Sequence, residues 1–113
     1  MAGVRGTPKI LIVLVTCPTR AVAKRLARAL IDQRLAACVN IIPAVESVYV
    51  WRQKVESAKE VLLVIKTIPK RFPSLQRFVR AHHPYHIPEI IALPILDGHP
   101  PYLRWVAESV APQ

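Results

Sequence analysis

Residues Ala36 to Thr67 read AACVNIIPAVESVYVWRQKVESAKEVLLVIKT, and this stretch decides the fold. Val, Ile, Tyr and Trp dominate it, residue types that suit a pleated, half-buried surface. It divides into two β-prone runs, Cys38–Trp51 and Lys54–Lys66, separated only by Arg52-Gln53. Two residues suffice for a hairpin loop, although such loops favour positive φ, which neither Arg nor Gln adopts easily. Around the turn the pattern alternates, with Val48, Val50 and Val55 against Tyr49, Trp51, Lys54 and Glu56. Pro43 has no N–H to give to a ladder, so it marks a bulge or an edge. A hairpin this long outreaches the body of a small domain, and its tip needs a partner.

Outward from the hairpin, Ile10–Val15 is an unbroken apolar run, which predicts a strand buried on both faces. Pro18-Thr19 opens a helix, with Thr19 as its N-cap and Val22, Leu26, Ala29 and Leu30 at helical spacing. Pro69 opens a second helix whose inner stripe is Phe72, Leu75, Phe78, Val79 and His82. The loop HHPYHIPE follows, then a strand over Ile90–Leu96, a turn at Asp97-Gly98, and a helix begun by Pro100-Pro101. The order is βαββαβ plus a C-terminal helix. That is an α+β, ferredoxin-like arrangement, an antiparallel sheet with both long helices on one face. Residues 1–9 form a flexible N-terminal arm and 10–113 a single domain.

The strands do not alternate as a one-sided antiparallel sheet should. Helices on one face leave the other as an apolar patch larger than soluble monomers tolerate. Another copy of the chain is the simplest cover, so the sequence predicts a homo-oligomer packed sheet to sheet.

The longest apolar run is far short of the roughly 20 residues needed to span a bilayer, and no signal-like segment precedes the first strand. Cys17 and Cys38 could pair or stay free; without a secretory signal, free thiols in the cytoplasm are expected. Net charge is +9. Residues 19–34 contribute +4 and residues 69–82 another +4, so the excess sits on the two long helices. Opposite their apolar stripes, these cations form a solvated outer face. Nucleic-acid binding by it would be weak, salt-sensitive and without sequence preference. RNA-recognition modules of this fold type stack bases on strand aromatics, and Leu11, Val13, Leu62 and Val64 supply none. Three glycines cannot build a Gly-rich phosphate loop, and no nucleophile–base–acid set is evident, so no enzyme is expected.

Several spaced motifs occur in unbroken register: Ala36-Ala37-Cys38-Val39-Asn40-Ile41-Ile42-Pro43, Trp51-x-x-Lys54-Val55-Glu56, His83-Pro84-Tyr85, Pro88-Glu89-Ile90-Ile91-Ala92-Leu93-Pro94 and Tyr102-Leu103-x-Trp105. Together they resemble the CutA divalent-cation tolerance proteins over nearly the whole chain from Leu14. The resemblance implies a tight homotrimer with hairpins reaching across to neighbours. It also implies binding of copper or other divalent cations, a role in metal-ion tolerance and response, and an architecture similar to the trimeric PII signalling proteins. A PII-like scaffold that binds a small molecule or protein partner is therefore the alternative function. The chain departs from the family where Gln53 replaces a common turn glycine and where His86 stands. Val15 occupies the place of a cysteine that binds metal in some members.

His82 and His83 match paired histidines that bind copper in some relatives, and imidazole suits that metal. The competing reading gives His82 to the apolar stripe and His83 to backbone groups ahead of Pro84. Cys17 lies beside a helix N-terminus, where the dipole favours thiolate; Cys38 is as readily a core residue as a ligand. Lys54, Glu56, Glu60, Tyr85 and Glu89 form an inter-subunit cleft or a set of interface ion pairs. Tyr49, Trp51 and Trp105 are expected as interface anchors.

Overall fold

The structure, a computed structural model, describes residues 6–112. The strands are β1 (Leu11–Cys17), β2 (Cys38–Trp51), β3 (Lys54–Thr67) and β4 (Ile90–Pro94). The helices are α1 (Arg20–Asp32), α2 (Phe72–His82) and α3 (Pro100–Ser109), with a 3-10 turn at Pro69–Arg71. All strand pairs are antiparallel, in the order β2-β3-β1-β4. This is the expected α+β, ferredoxin-like arrangement with an added C-terminal helix. The last strand stops at Pro94, short of the expected Leu96. Residues 6–9 carry no regular structure, and the rest of the expected arm lies outside the described residues.

Local chemistry sets the element ends. Thr19 caps α1, its Oγ1 accepting from the Val22 N–H at 3.2 Å. At the other end Leu35 N–H donates to the Leu30 carbonyl and Arg34 N–H to that of Ile31. This Schellman ending holds Arg34 at φ 56. Both helices cover one sheet face. Leu26 and Leu30 of α1 and Leu75 and Val79 of α2 pack on Val13, Val15, Leu63 and Ile65. A second cluster, Ile10 with Leu103 and Val106, seats α3. Arg71 Nε–H donates to the Val110 carbonyl at 2.8 Å and ties the end of α3 to the 3-10 turn.

Within a single chain the first strand is buried on one face only, which leaves the second cover expected for it to another copy. Val13, Val15 and Cys17 are fully buried beneath the helices, whereas Ile12, Leu14 and Thr16 on the opposite face are only half-buried. Register extends that face across the sheet, from Ile42 through Leu62 and Val64 to Ile91 and Leu93. Ile42, Ile91 and Leu93 are 41%, 49% and 47% exposed, so an apolar sheet face stands open. Lys66 adds a polar spot there, beside Asn40 Oδ1 and Cys38 Sγ.

β2 and β3 are each 14 residues long, twice β1 and nearly three times β4. β1 pairs only with Val61–Thr67, so Lys54–Glu60 has β2 as its one neighbour and projects as a two-stranded ribbon. The molecule measures 54 × 26 × 22 Å as a result. Pro43, expected at a bulge or on an edge, meets both: β2 is an edge strand and its register shifts here. Ile42 pairs with Leu62, but the next pair is Val45 with Glu60. One extra residue reverses which side chains share a face. It places Tyr49 and Trp51 on the open sheet face and turns Val48 and Val50 to the other.

The two-residue loop holds Arg52 at φ 51 and Gln53 at φ 68, and the Arg52 guanidinium lies 5.8 Å from the Trp51 ring. Left-handed backbone costs an ordinary L-residue about 1–2 kcal/mol. Gln53→Gly should therefore raise stability by about 1 kcal/mol, after its greater unfolded-state freedom is counted. Chemical denaturation should show it as a higher midpoint; an unchanged or lower midpoint would contradict strain at this turn.

Candidate functional site

The ribbon and the Pro84–Glu89 loop enclose a cleft of about 760 Å³ on the open side of the sheet. Tyr49, Trp51 and Glu56 come from the ribbon; Tyr85, His86 and Glu89 come from the loop. Thr16 and Glu60 lie at its base. Of the expected cleft residues, Glu56, Glu60, Tyr85 and Glu89 are brought together. Lys54, at the ribbon tip, does not line the cleft.

A chain of hydrogen bonds fixes the loop. His83 is 8% exposed, and its Nε2 lies 2.8 Å from the Thr16 carbonyl. Its Nδ1 accepts from the Tyr85 N–H at 3.0 Å, which leaves the ring proton on Nε2, where it donates to Thr16. Tyr85 then donates its hydroxyl proton to Glu60 Oε2 at 2.7 Å. Glu60 is 8% exposed, and this donor stands against the cost of burying a carboxylate. Burial first, and then the Glu60 carboxylate as acceptor and as charge, pushes the Tyr85 phenol up to about 12. The Thr16 contribution was illegible in sequence because it is made by a backbone carbonyl.

The proposed metal donors occupy three different environments. His82 leaves the apolar stripe assigned to it: it is exposed, with its ring stacked on Phe78 at 4.1 Å and Nδ1 2.8 Å from the Phe78 carbonyl. Its Nε2 faces no protein partner among the described residues. His83 points inward with both ring nitrogens in use. Cys17 is fully buried, and the thiolate expected from the α1 dipole is corrected. Burial, followed by the charge of Glu60, pushes its thiol up to about 11. Cys17 and Cys38 are both free thiols. Among the described residues of one chain, no three His, Cys, Asp or Glu side chains converge as a metal site would require.

The family model for the CutA1 divalent ion tolerance protein matches residues 11–109. This chain belongs to that family. It is 54% identical over 100 residues to Protein CutA of Mus musculus, covering 86% of this chain and 56% of the mouse protein. The chain thus spans little more than half the length of that relative. It is 48% identical to the Divalent-cation tolerance protein CutA of Thermus thermophilus, covering 87% of this chain and 95% of that one. The crystal structure of CutA1 from Oryza sativa superimposes with a TM-score of 0.88 at 47% identity, over 91% of this chain and 94% of that one.

Within this CutA1-family chain the pinned loop makes one wall of the cleft, so the Tyr85–Glu60 bond carries structure as well as polarity. The phenol is protonated in both folded and unfolded chains below about pH 10. Because its folded value is the higher one, its stabilisation is complete there and is lost as pH rises through about 12. Tyr85→Phe should lower stability near neutral pH by about 1–3 kcal/mol, since Glu60 keeps its burial and loses its donor. Ultraviolet titration should show one late-ionising tyrosine fewer. A variant as stable as the parent, with the same titration curve, would remove this bond from the account.

Proposed function

We propose that the chain works as a homotrimer that binds divalent cations, copper among them, in metal-ion tolerance and response. It acts by binding rather than by catalysis, and does so in the cytoplasm. Membership of the CutA1 family carries the cation reading. The open apolar sheet face, continuous with Tyr49 and Trp51 on the ribbon, supports self-association. Trp105, 46% exposed and tilted against Tyr102 at 5.6 Å, offers a further anchor. The two free thiols suit a reducing compartment. No helix among the described residues is long and apolar enough to cross a membrane.

Among the described residues, the donors of a single chain do not make a metal centre. Of the three candidate donors, two suggested by resemblance and Cys17 by its own chemistry, His82 alone has a ring nitrogen ready to bind. His83 would first have to give up Thr16 or Tyr85, and Cys17 a firmly held proton. We therefore place the cation where His82 meets ligands from a neighbouring subunit. His82→Ala should weaken copper binding at least tenfold, with imidazole donors placing copper above zinc. Binding should weaken as pH falls, because protons compete with the metal for its ligands. His83→Ala should instead cost about 1–3 kcal/mol of stability, because two hydrogen-bond partners lose their mate. Calorimetric titration of both variants tests the division; copper uptake unchanged in His82→Ala would overturn it.

An obligate interface of this kind should bury more than about 2,000 Å². The assembly should accordingly sediment as a trimer after dilution to nanomolar concentration. Trp51→Ala should shift it toward smaller species, and a folded monomer at micromolar concentration would refute the assembly.

A further inference from the structure

The charges of this chain are segregated by face. α1 and α2 pack on the same side of the sheet through one core, so their outward sides form a single surface. At helical spacing Lys24, Arg25 and Arg28 fall opposite Leu26 and Leu30, with Arg20 on the flank. Arg77 and Arg80 fall opposite Leu75 and Val79. All six are exposed. The one acid of this surface, Asp32, pairs with Arg28 at 3.9 Å, the only salt bridge among the described residues. Glu56, Glu60 and Glu89 lie in the cleft on the other side of the sheet. Apart from that one exposed pair, the positive field is left without local compensation.

We propose that the outer face of α1 and α2 is a docking surface for the phosphate backbone of nucleic acid, bound without reading its sequence. Charge complementarity calls for a polyanion. The composition of the surface points to phosphate, because five of the six named cations are Arg, whose planar fork matches phosphate oxygens in pairs. Arg20, Lys24 and Arg28 recur at one-turn intervals, about 6 Å apart along the axis, and make a row that can follow a charged strand. Between the cations stand Ala21 and Ser74, the latter accepting from Arg77 Nη2 at 3.1 Å. Phe72 and Phe78 turn toward the core. A membrane surface would call for large apolar side chains to bury among the cations, and base readout would call for exposed aromatics or amides. A single exposed aliphatic, Ile31 at 39%, stands beside the cations of α1, and the surface carries neither an apolar stripe nor an exposed aromatic platform. The surface is separate from the cleft and from His82, and the inference does not depend on metal binding.

The test is fluorescence anisotropy of the full chain with labelled duplexes of about 20 base pairs, in two unrelated sequences, at about 50 and 200 mM NaCl. Both duplexes should bind equally at the lower salt. With about five phosphates neutralised, affinity should fall about 100- to 1,000-fold at the higher salt. Arg25→Glu with Arg77→Glu should weaken binding at least tenfold while the circular dichroism spectrum and sedimentation stay unchanged. Lys9→Glu with Arg104→Glu changes net charge by the same amount away from this surface and should leave most of the affinity. Four results would each overturn the proposal: no binding at low salt, equal losses in the two double variants, a sequence preference that persists at high salt, or tighter binding to phosphatidylserine-rich vesicles than to duplex.

Discussion

The unsupported half of the β2–β3 hairpin is the constraint on which the rest of this molecule depends. Beyond Val61, β3 has no second strand beside it, and a two-stranded ribbon in water is at best marginally stable alone. Its side chains are not those of a solvated arm. Val48, Val50 and Val55 are 69%, 69% and 76% exposed on one side, while Tyr49 and Trp51 stand half out of the other. Both sides are apolar enough to gain from a cover, and the open sheet face continues from one of them. The ordered core and the exposed ribbon thus make opposite demands: the helices complete one face, and nothing among the described residues completes the other.

One inserted residue controls how those surfaces are used. The bulge around Pro43 carries the ribbon's aromatic side chains onto the sheet's open face, where they meet the loop after α2. That loop has no regular structure and is held by polar contacts. Its anchor is His83, which joins α2 to the backbone of β1 and supports Tyr85, which in turn neutral-pairs a buried carboxylate on β3. The cleft is therefore assembled from three separate segments. Each contact in the chain Thr16–His83–Tyr85–Glu60 fixes the geometry of the next, so the histidine that resembles a metal ligand serves first as a structural tie.

The electrostatic design follows the same layering. Cations occupy the helix surface because the inner sides of α1 and α2 are fully used by the core. Carboxylates collect between ribbon and loop, where Glu60 is buried with a phenol as donor. A chain with a net charge of +9 thereby presents an acidic cleft and a basic back, and the two faces are suited to different company.

The sequence by itself determined the element order, the Thr19 cap, the two-residue turn and a bulge or edge at Pro43, because each rests on local chemistry: a hydroxyl before a helix, two residues between β-prone runs, a proline without an N–H. It also indicated the uncovered sheet face, since apolar residues on both sides of a strand report burial whichever copy supplies it. The family was legible for a related reason, its motifs being spaced along the whole chain. Tertiary structure alone decided the roles within the site. Periodicity placed His82 inward, yet the helix ends there and the ring folds onto Phe78, while the next residue turns in to reach a carbonyl 67 positions away. Helix-dipole reasoning made Cys17 a thiolate, whereas the depth of the core keeps its proton on. Hydrogen bonds to distant backbone and the dielectric of a packed interior depend on what folding brings near, and no local pattern encodes either.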